Sequence, residues 1–152
     1  MTFATKYTAL IDQIVTDLKT ITPELADDIT TLGGPRVTKW MSSKSPRVGR
    51  YEAEVKAGPT TVIGGFTTKS TLNEFQIIVD LIHYSSEFEA GFDAVMGVAE
   101  RIYDKFHLTD IGGTSTNKTT VELNPGDGQL NRGLLAIPIR VIIKSEQIIT
   151  QT

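Results

Sequence analysis

The chain has 152 residues, of which 39% are hydrophobic and 22% charged, proportions typical of a soluble globular protein. Its net charge of −3 argues against a protein whose main task is to coat nucleic acid, because that task needs a strong basic excess. The absence of cysteine excludes disulfides, thiolate metal sites and cysteine nucleophiles.

The length predicts one domain over residues 1–152. The amphipathic, partly acidic N-terminal stretch lacks the pattern of a signal peptide, and no apolar run approaches the ~20 residues that span a bilayer. We therefore expect a soluble, unprocessed chain with no membrane partner.

The first predicted element is an amphipathic helix that ends at Thr22-Pro23. Its apolar residues have the i, i+3, i+4, i+7 spacing of one helix face: Tyr7, Leu10, Ile11, Ile14, Val15 and Leu18. A short second turn is expected from Pro23 to Ile29, and a short strand is possible over 37–41.

Residues 47–56 alternate as a half-buried strand. Tyr51, Ala53 and Val55 share the apolar face. The opposite face is expected to be solvated and carries four charged residues: Arg50, Glu52, Glu54 and Lys56.

Residues 57–74 are rich in glycine and threonine. They form either a long loop or an extended hairpin arm with Gly64-Gly65 near its tip. A long structureless loop is unusual in a compact domain, so we favour an arm that becomes ordered against a partner.

Phe75–Tyr84 is the strongest strand, and residues 86–89 fit a capping box for the helix that follows. The helix has an apolar stripe that we expect to face the sheet: Phe88, Phe92, Val95, Met96, Ala99, Ile102, Tyr103 and Phe106. Acidic residues in its first turn and Lys105 and His107 in its last complement the helix dipole.

The C-terminal third is predicted to be a hairpin, with strands at 119–123 and 135–143 and turn residues at 124–128. Pro138 cannot donate a ladder hydrogen bond, so its strand should lie at an edge or carry a bulge. Residues 147–152 are expected to form a flexible tail. The fold class is α+β, an antiparallel sheet with an N-terminal and a central amphipathic helix packed on it, plus a long β-hairpin arm.

The candidates for catalysis have simpler structural explanations. His83 and Asp80 lie three apart on a strand, so their side chains point to opposite faces. Glu87, Glu89 and Asp93 suit a helix start, where like charges are favoured by the dipole. Two histidines without HExxH spacing make a zinc site improbable. We predict no catalytic residue, cofactor or metal.

The strand ending in Tyr84-Ser85 leads into a helix of the form xxxFxAxxDAVMxxAExIxDxF. With the layout of the whole chain, these features resemble the tail terminator (tail completion) proteins of tailed bacteriophages and related minor tail and neck proteins. The resemblance is concentrated in residues 75–107 and 134–146.

The resemblance implies an α+β subunit that forms a ring, usually a hexamer, in the tail–neck region of the virion, assembled in the host cytoplasm. Its partners would be copies of itself, the tail tube protein and the neck connector, with DNA passing through the lumen without sequence-specific binding. Exposed edges and a long arm suit such contacts. The expected subunit or tube contacts are Val62, Ile63, Phe66, Lys69, Trp40, Leu130, Arg132 and Pro138.

Two alternatives stay open. One is a head-proximal connector or stopper protein of the neck. The other, from a different class, is a small monomeric enzyme or ligand-binding domain that uses His83 with the carboxylates of Glu87, Glu89 and Asp93.

Overall fold

A computed structural model describes residues 3–23, 29–32, 48–65, 69–108, 119–131 and 133–150. The elements in chain order are α1 (Phe3–Ile21), β1 (Ile29–Leu32), β2 (Tyr51–Gly65), β3 (Ser70–Ser85), α2 (Phe88–Phe106), β4 (Thr119–Pro125), β5 (Gln129–Asn131) and β6 (Leu134–Thr150). The expected turn residues 24–28 and the possible strand at 37–41 lie outside the described residues. Neither α1 nor α2, the helices of the described residues, is long and apolar enough to cross a membrane.

The described strands form one sheet in the order β1-β2-β3-β6-β4, and β5 pairs with β6 beyond the end of β4. All pairings are antiparallel except β1 with β2. The predicted α+β class is confirmed. The short parallel strand β1 was not predicted.

Both helices pack against one face of the sheet. On α1 the predicted stripe is confirmed, since Leu10, Ile14 and Leu18 are fully buried. On α2 the buried side is formed by Gly91, Val95, Val98, Ala99, Ile102 and Phe106. These helix residues share one core with the apolar face of β2, β3 and β6.

Two aromatic residues of the α2 stripe do not reach the core. Phe88 is 48% exposed and Tyr103 is 38% exposed, so their expected burial is wrong. The ring of Phe88 lies against Gly128, because the first turn of α2 lies over the connection between β4 and β5. Tyr103 instead stacks on His107, with ring centroids 4.3 Å apart.

The predicted capping box is also wrong, because α2 begins one residue later than it requires. The N-cap is Glu87, which makes no side-chain capping hydrogen bond. The Ser85 hydroxyl organises the preceding turn instead, accepting from Glu87 N at 3.2 Å and donating to Glu87 O at 2.8 Å. Glu89 does lie in the first turn, where its charge complements the dipole.

Residues 57–65 and 70–74 form the two strands of the predicted hairpin arm, so the alternative of a long loop is wrong for these residues. β2 continues to Gly65 and β3 returns from Ser70, with register shifts between Ala57 and Thr60 and between Val62 and Gly64. The other side of β3 pairs with β6 along its whole length, from Ser70↔Thr150 to Ser85↔Leu135. The expected flexible tail is therefore wrong as far as Thr150.

The chain reverses between β5 and β6, where Gly133 has a φ of +83°. The turn had been predicted at residues 124–128. Residues 126–128 connect β4 to β5, and both of these strands pair with the same edge of β6.

Pro138 was expected at a sheet edge or at a bulge. The edge position is wrong, since β6 lies between β3 and β4. The pairing on the β4 side is interrupted at Pro138, between Pro125↔Ile139 and Gln129↔Ala136. Gly126 N donates to Pro138 O at 3.0 Å, so the missing Pro138 N–H also points to the side where β4 ends. The strand tolerates Pro138 because its neighbour on that side stops there.

Candidate assembly interface

The structure separates the predicted contact residues into two groups. Val62 and Ile63 are 62% and 45% exposed, and exposed Lys69 immediately precedes β3 at the end of the arm. Leu130 is 80% exposed but lies at the opposite end of the sheet. Phe66, Trp40 and Arg132 lie outside the described residues.

The two ends are far apart. Val62 pairs with Asn73 of β3. At the other end, Leu130 pairs with Leu135 of β6, which in turn pairs with Ser85 of β3. Asn73 and Ser85 are separated along β3 by roughly 40 Å at about 3.3 Å per residue. The arm tip (62–65 and 69–72) and Leu130 therefore cannot form one continuous surface within a single chain.

Helix α1 fixes the base of the arm. The Tyr7 hydroxyl donates to Gly58 O at 2.6 Å and also hydrogen-bonds the Thr60 hydroxyl. Its ring packs edge-on against Phe75, with centroids 4.8 Å apart. The tip extends beyond this anchored region.

The outer edge of the arm is open within the part of the chain that the structure describes. β1 pairs with β2 only at Ala53–Lys56. Residues 57–65 therefore have no described strand on that side. An open edge with exposed apolar side chains is a typical site for association with another chain.

A second apolar surface, the α2 patch, consists of Phe88, Phe92, Leu130 and Leu135. The rings of Phe88 and Phe92 are stacked with centroids 5.9 Å apart. Leu130 pairs with Leu135, which packs against the main core, so both leucines lie on the helix-bearing side of the sheet. Within the described ranges, the exposed charged residues nearest in sequence are acidic: Glu87, Glu89, Asp93 and Asp127. Arg132, which follows β5, lies outside those ranges.

The opposite face of the sheet carries a buried charged cluster. Arg50, Glu52 and Glu54 are only 6%, 6% and 4% exposed, so the expectation of a solvated face is wrong. The reason is cross-strand pairing, because Glu54, Asp80 and Arg140 are aligned in register across β2, β3 and β6.

Asp80 is the centre of this cluster. Its carboxylate accepts from Arg140 Nε at 2.9 Å and lies 2.9 Å from Lys56 Nζ. Asp80 holds the pKa of Arg140 above its ordinary value. Glu54 is less well satisfied, since its nearest described cation is Lys56 Nζ at 3.7 Å. Burial raises the pKa of Glu54, with a further rise from Asp80 and an opposing effect of Lys56.

The second ion pair joins Arg50 Nη2 to Glu52 Oε1 at 3.1 Å, and Tyr84 donates to the other carboxylate oxygen at 3.2 Å. Positive and negative groups are thus interleaved. These ion pairs favour one register of β2, β3 and β6, and they do not form a binding patch of a single sign of charge.

His83 and the carboxylates at the start of α2 do not assemble into an open reactive site. His83 is 6% exposed, and its ring is tilted by 37° against that of Tyr51 with centroids 4.1 Å apart. Burial lowers the pKa of His83. Glu87, Glu89 and Asp93 are exposed. The predicted placement of Asp80 and His83 on opposite faces is confirmed, because Asp80 pairs with Glu54 while His83 pairs with Tyr51.

His107 has a structural role that the sequence did not predict. Its Nδ1 accepts a hydrogen bond from Val121 N at 3.2 Å, which ties the end of α2 to β4 and requires an unprotonated Nδ1. No group of three or more His, Asp or Glu side chains that could hold a metal ion occurs within the described ranges.

No protein family and no curated protein matches the chain. Among solved structures, it is similar to a chain from the virion of a native gene transfer agent particle. That similarity has 13% identity and a TM-score of 0.44, and covers 95% of this chain and 97% of the other. A second solved chain is 16% identical with a TM-score of 0.42 and covers 92% of each. With scores below 0.5, neither similarity carries an argument about function.

Proposed function

We propose that this chain is a structural protein of a tailed-phage virion. It assembles into a ring, usually a hexamer in proteins of the kind it resembles. The ring caps the tail tube and joins it to the neck connector, with DNA passing through the lumen. The observation that carries the proposal is the arm. It exposes Val62 and Ile63, and no strand of the described chain pairs with the outer edge of residues 57–65.

An arm of this kind suits a head-to-tail contact between copies. The arm tip lies at one end of the sheet, so its partner surface on the next copy must be a different part of the molecule. Such a heterologous contact closes into a ring when its rotation allows and otherwise continues as a filament. The resemblance in residues 75–107 and 134–146 favours the closed form.

The surface chemistry is compatible with DNA passage. The net charge is −3, and on the sheet face opposite the helices Arg50 pairs with Glu52 while Asp80 pairs with Lys56 and Arg140. A mildly acidic ring would let DNA move through its lumen without sequence-specific binding.

The assembly is tested by light scattering after size-exclusion chromatography and by negative-stain microscopy over a range of concentrations, with and without tail tubes. We expect rings of uniform diameter, and weaker assembly when Val62 and Ile63 are both changed to serine. The matched control is Val48→Ser, since Val48 is 63% exposed but lies outside the arm. A chain that stays monomeric even with tail tubes would contradict the proposal.

The location is tested by immunogold labelling of tailed particles with an antibody against the chain. Label at the junction of tail and head supports the proposal, while label along the tail or over the head surface contradicts it. Binding of the purified protein to tube ends supports a terminator. Binding only to DNA-filled heads would favour the connector or stopper alternative.

A further inference from the structure

We propose that the arm tip of one copy docks onto the α2 patch of a second copy. This inference rests on the proposed function, because it names the surface that receives the arm. It is a contact between exposed apolar surfaces that lie at opposite ends of the subunit.

The two surfaces match in apolar character. The tip offers Val62 and Ile63, which are 62% and 45% exposed, and the α2 patch offers Phe88 and Leu130, which are 48% and 80% exposed. Each surface leaves large apolar side chains in water in an isolated subunit. Docking one on the other removes both from water in a single contact.

The two surfaces also match in charge. Residues 57–73 contain a single charged residue, Lys69, which is exposed at the tip. Residues 84–97 contain three charged residues, Glu87, Glu89 and Asp93, and all three are exposed carboxylates. The described charges therefore match at the α2 side of the patch, where a tip that carries one lysine meets the three carboxylates at the start of α2. Such complementarity sets the orientation of a contact more than its affinity.

Geometry requires the two surfaces to belong to different copies. They are roughly 40 Å apart along β3, at opposite ends of a strand that is paired throughout with β6. The base of the arm is held by the hydrogen bond from Tyr7 to Gly58 O. The arm therefore cannot fold back onto its own α2 patch.

The edge strand β4 is a poorer receiver. None of the large apolar side chains exposed in the described chain belongs to β4. The strand presents Thr120, Glu122 and Asn124 on one face and ends in Pro125, which has no N–H to donate. Polar edges that end in proline are typical of strands protected against pairing with another chain.

The test uses disulfide trapping, which is clean because the chain has no cysteine of its own. We expect a mixture of Val62→Cys and Leu130→Cys proteins to form a covalent dimer on mild oxidation, in at least tenfold higher yield than either protein alone. Thr120→Cys, exposed on β4, is the matched control partner for Val62→Cys. Circular dichroism of each variant checks that the fold is retained.

Each outcome is decisive. Trapping of Val62→Cys with itself, or preferentially with Thr120→Cys, overturns the inference in favour of a tip-to-tip contact or strand addition. Oligomers that form without a tip-to-patch disulfide overturn the inference but leave the proposed ring standing. Tip-to-patch trapping in filaments supports the inference and argues against the ring. A chain that stays monomeric contradicts both.

Charge reversal gives an independent readout. Lys69→Glu and Glu89→Lys are each expected to weaken assembly about two- to fivefold, the range of an exposed ion pair. The protein carrying both changes should recover at least half of the loss. Additive losses in the double variant would show that these two charges do not face each other and would overturn the proposed orientation.

Discussion

Gly91 lies where α2 packs most closely against the sheet. A methyl group added there would be 2.3 Å from Ile137 Cδ1 and 2.6 Å from Ser85 Cβ. Both neighbours are buried, at 0% and 8% exposure. Gly91→Ala must therefore displace β6, β3 or the helix itself.

The magnitude follows from two opposing effects. Alanine is better than glycine in a helix interior by about 1 kcal/mol. Overpacking of a well-filled core costs about 1–3 kcal/mol. We therefore expect Gly91→Ala to lower the free energy of unfolding by up to about 2 kcal/mol, and the melting temperature by about 2–4 °C for each kcal/mol.

Gly97 is the matched control, because it lies in the same helix and an added methyl would meet nothing within 4 Å. Gly97→Ala should raise the free energy of unfolding by up to about 1 kcal/mol. The measurement is urea unfolding followed by circular dichroism, at one fixed protein concentration because assembly also stabilises the folded state. Equal stabilisation by both variants would refute the close packing of α2 at Gly91.

Three further predictions concern the charged cluster and the arm, and all use the same unfolding assay. Glu54→Gln should raise stability at neutral pH. Because the pKa of Glu54 is raised in the folded state, its contribution to wild-type stability is greatest below the ordinary glutamate pKa and is lost as pH rises through the folded-state pKa. The stability of the variant should therefore depend less on pH. An unchanged pH dependence would contradict this prediction. Asp80→Asn should lower the free energy of unfolding by about 1–3 kcal/mol, because Arg140 and Lys56 lose their shared carboxylate. An unchanged stability would refute the central position of Asp80 in the charged cluster. Tyr7→Phe should lower the free energy of unfolding by about 1 kcal/mol and weaken assembly, because it removes the hydrogen bond to Gly58 O. Unchanged assembly would show that α1 does not position the arm.

Elements with a regular apolar period were predictable from the sequence. The stripe of α1 and the alternation of β6 each reflect one buried face, which local spacing records directly. The hairpin arm was predictable as one of two alternatives, because glycine and threonine suit both a loop and an exposed hairpin.

Features set by distant partners were not predictable. The alternating charges of Arg50, Glu52 and Glu54 are typical of a solvated strand face, but Asp80 and Arg140 come from other strands and pair with this region. The four-residue strand β1 has no alternation of its own and depends on its parallel pairing with β2. The edge position expected of Pro138 is wrong because β6 lies between β3 and β4, which only the sheet order reveals. The proline is tolerated there because β4 ends beside it.

The contact surfaces were only partly predictable. Val62, Ile63 and Leu130 were identified as candidates for contact, and all three are exposed. Phe88 was assigned to the core because its spacing continues the α2 stripe. Its exposure arises from the position of the helix relative to the end of the sheet, which helix periodicity does not record.

The pairing of β3 with β6 has a consequence for the order of folding. Ser70 and Thr150 are hydrogen-bonded side by side although 80 positions separate them in sequence. Contacts of such long range form late, because the intervening chain must first lose its freedom. The β2–β3 hairpin alone would be only marginally stable in water. A rigid arm therefore emerges only when β6 has docked. In the proposed assembly, this order would keep an incompletely folded subunit from contacting its neighbours too early.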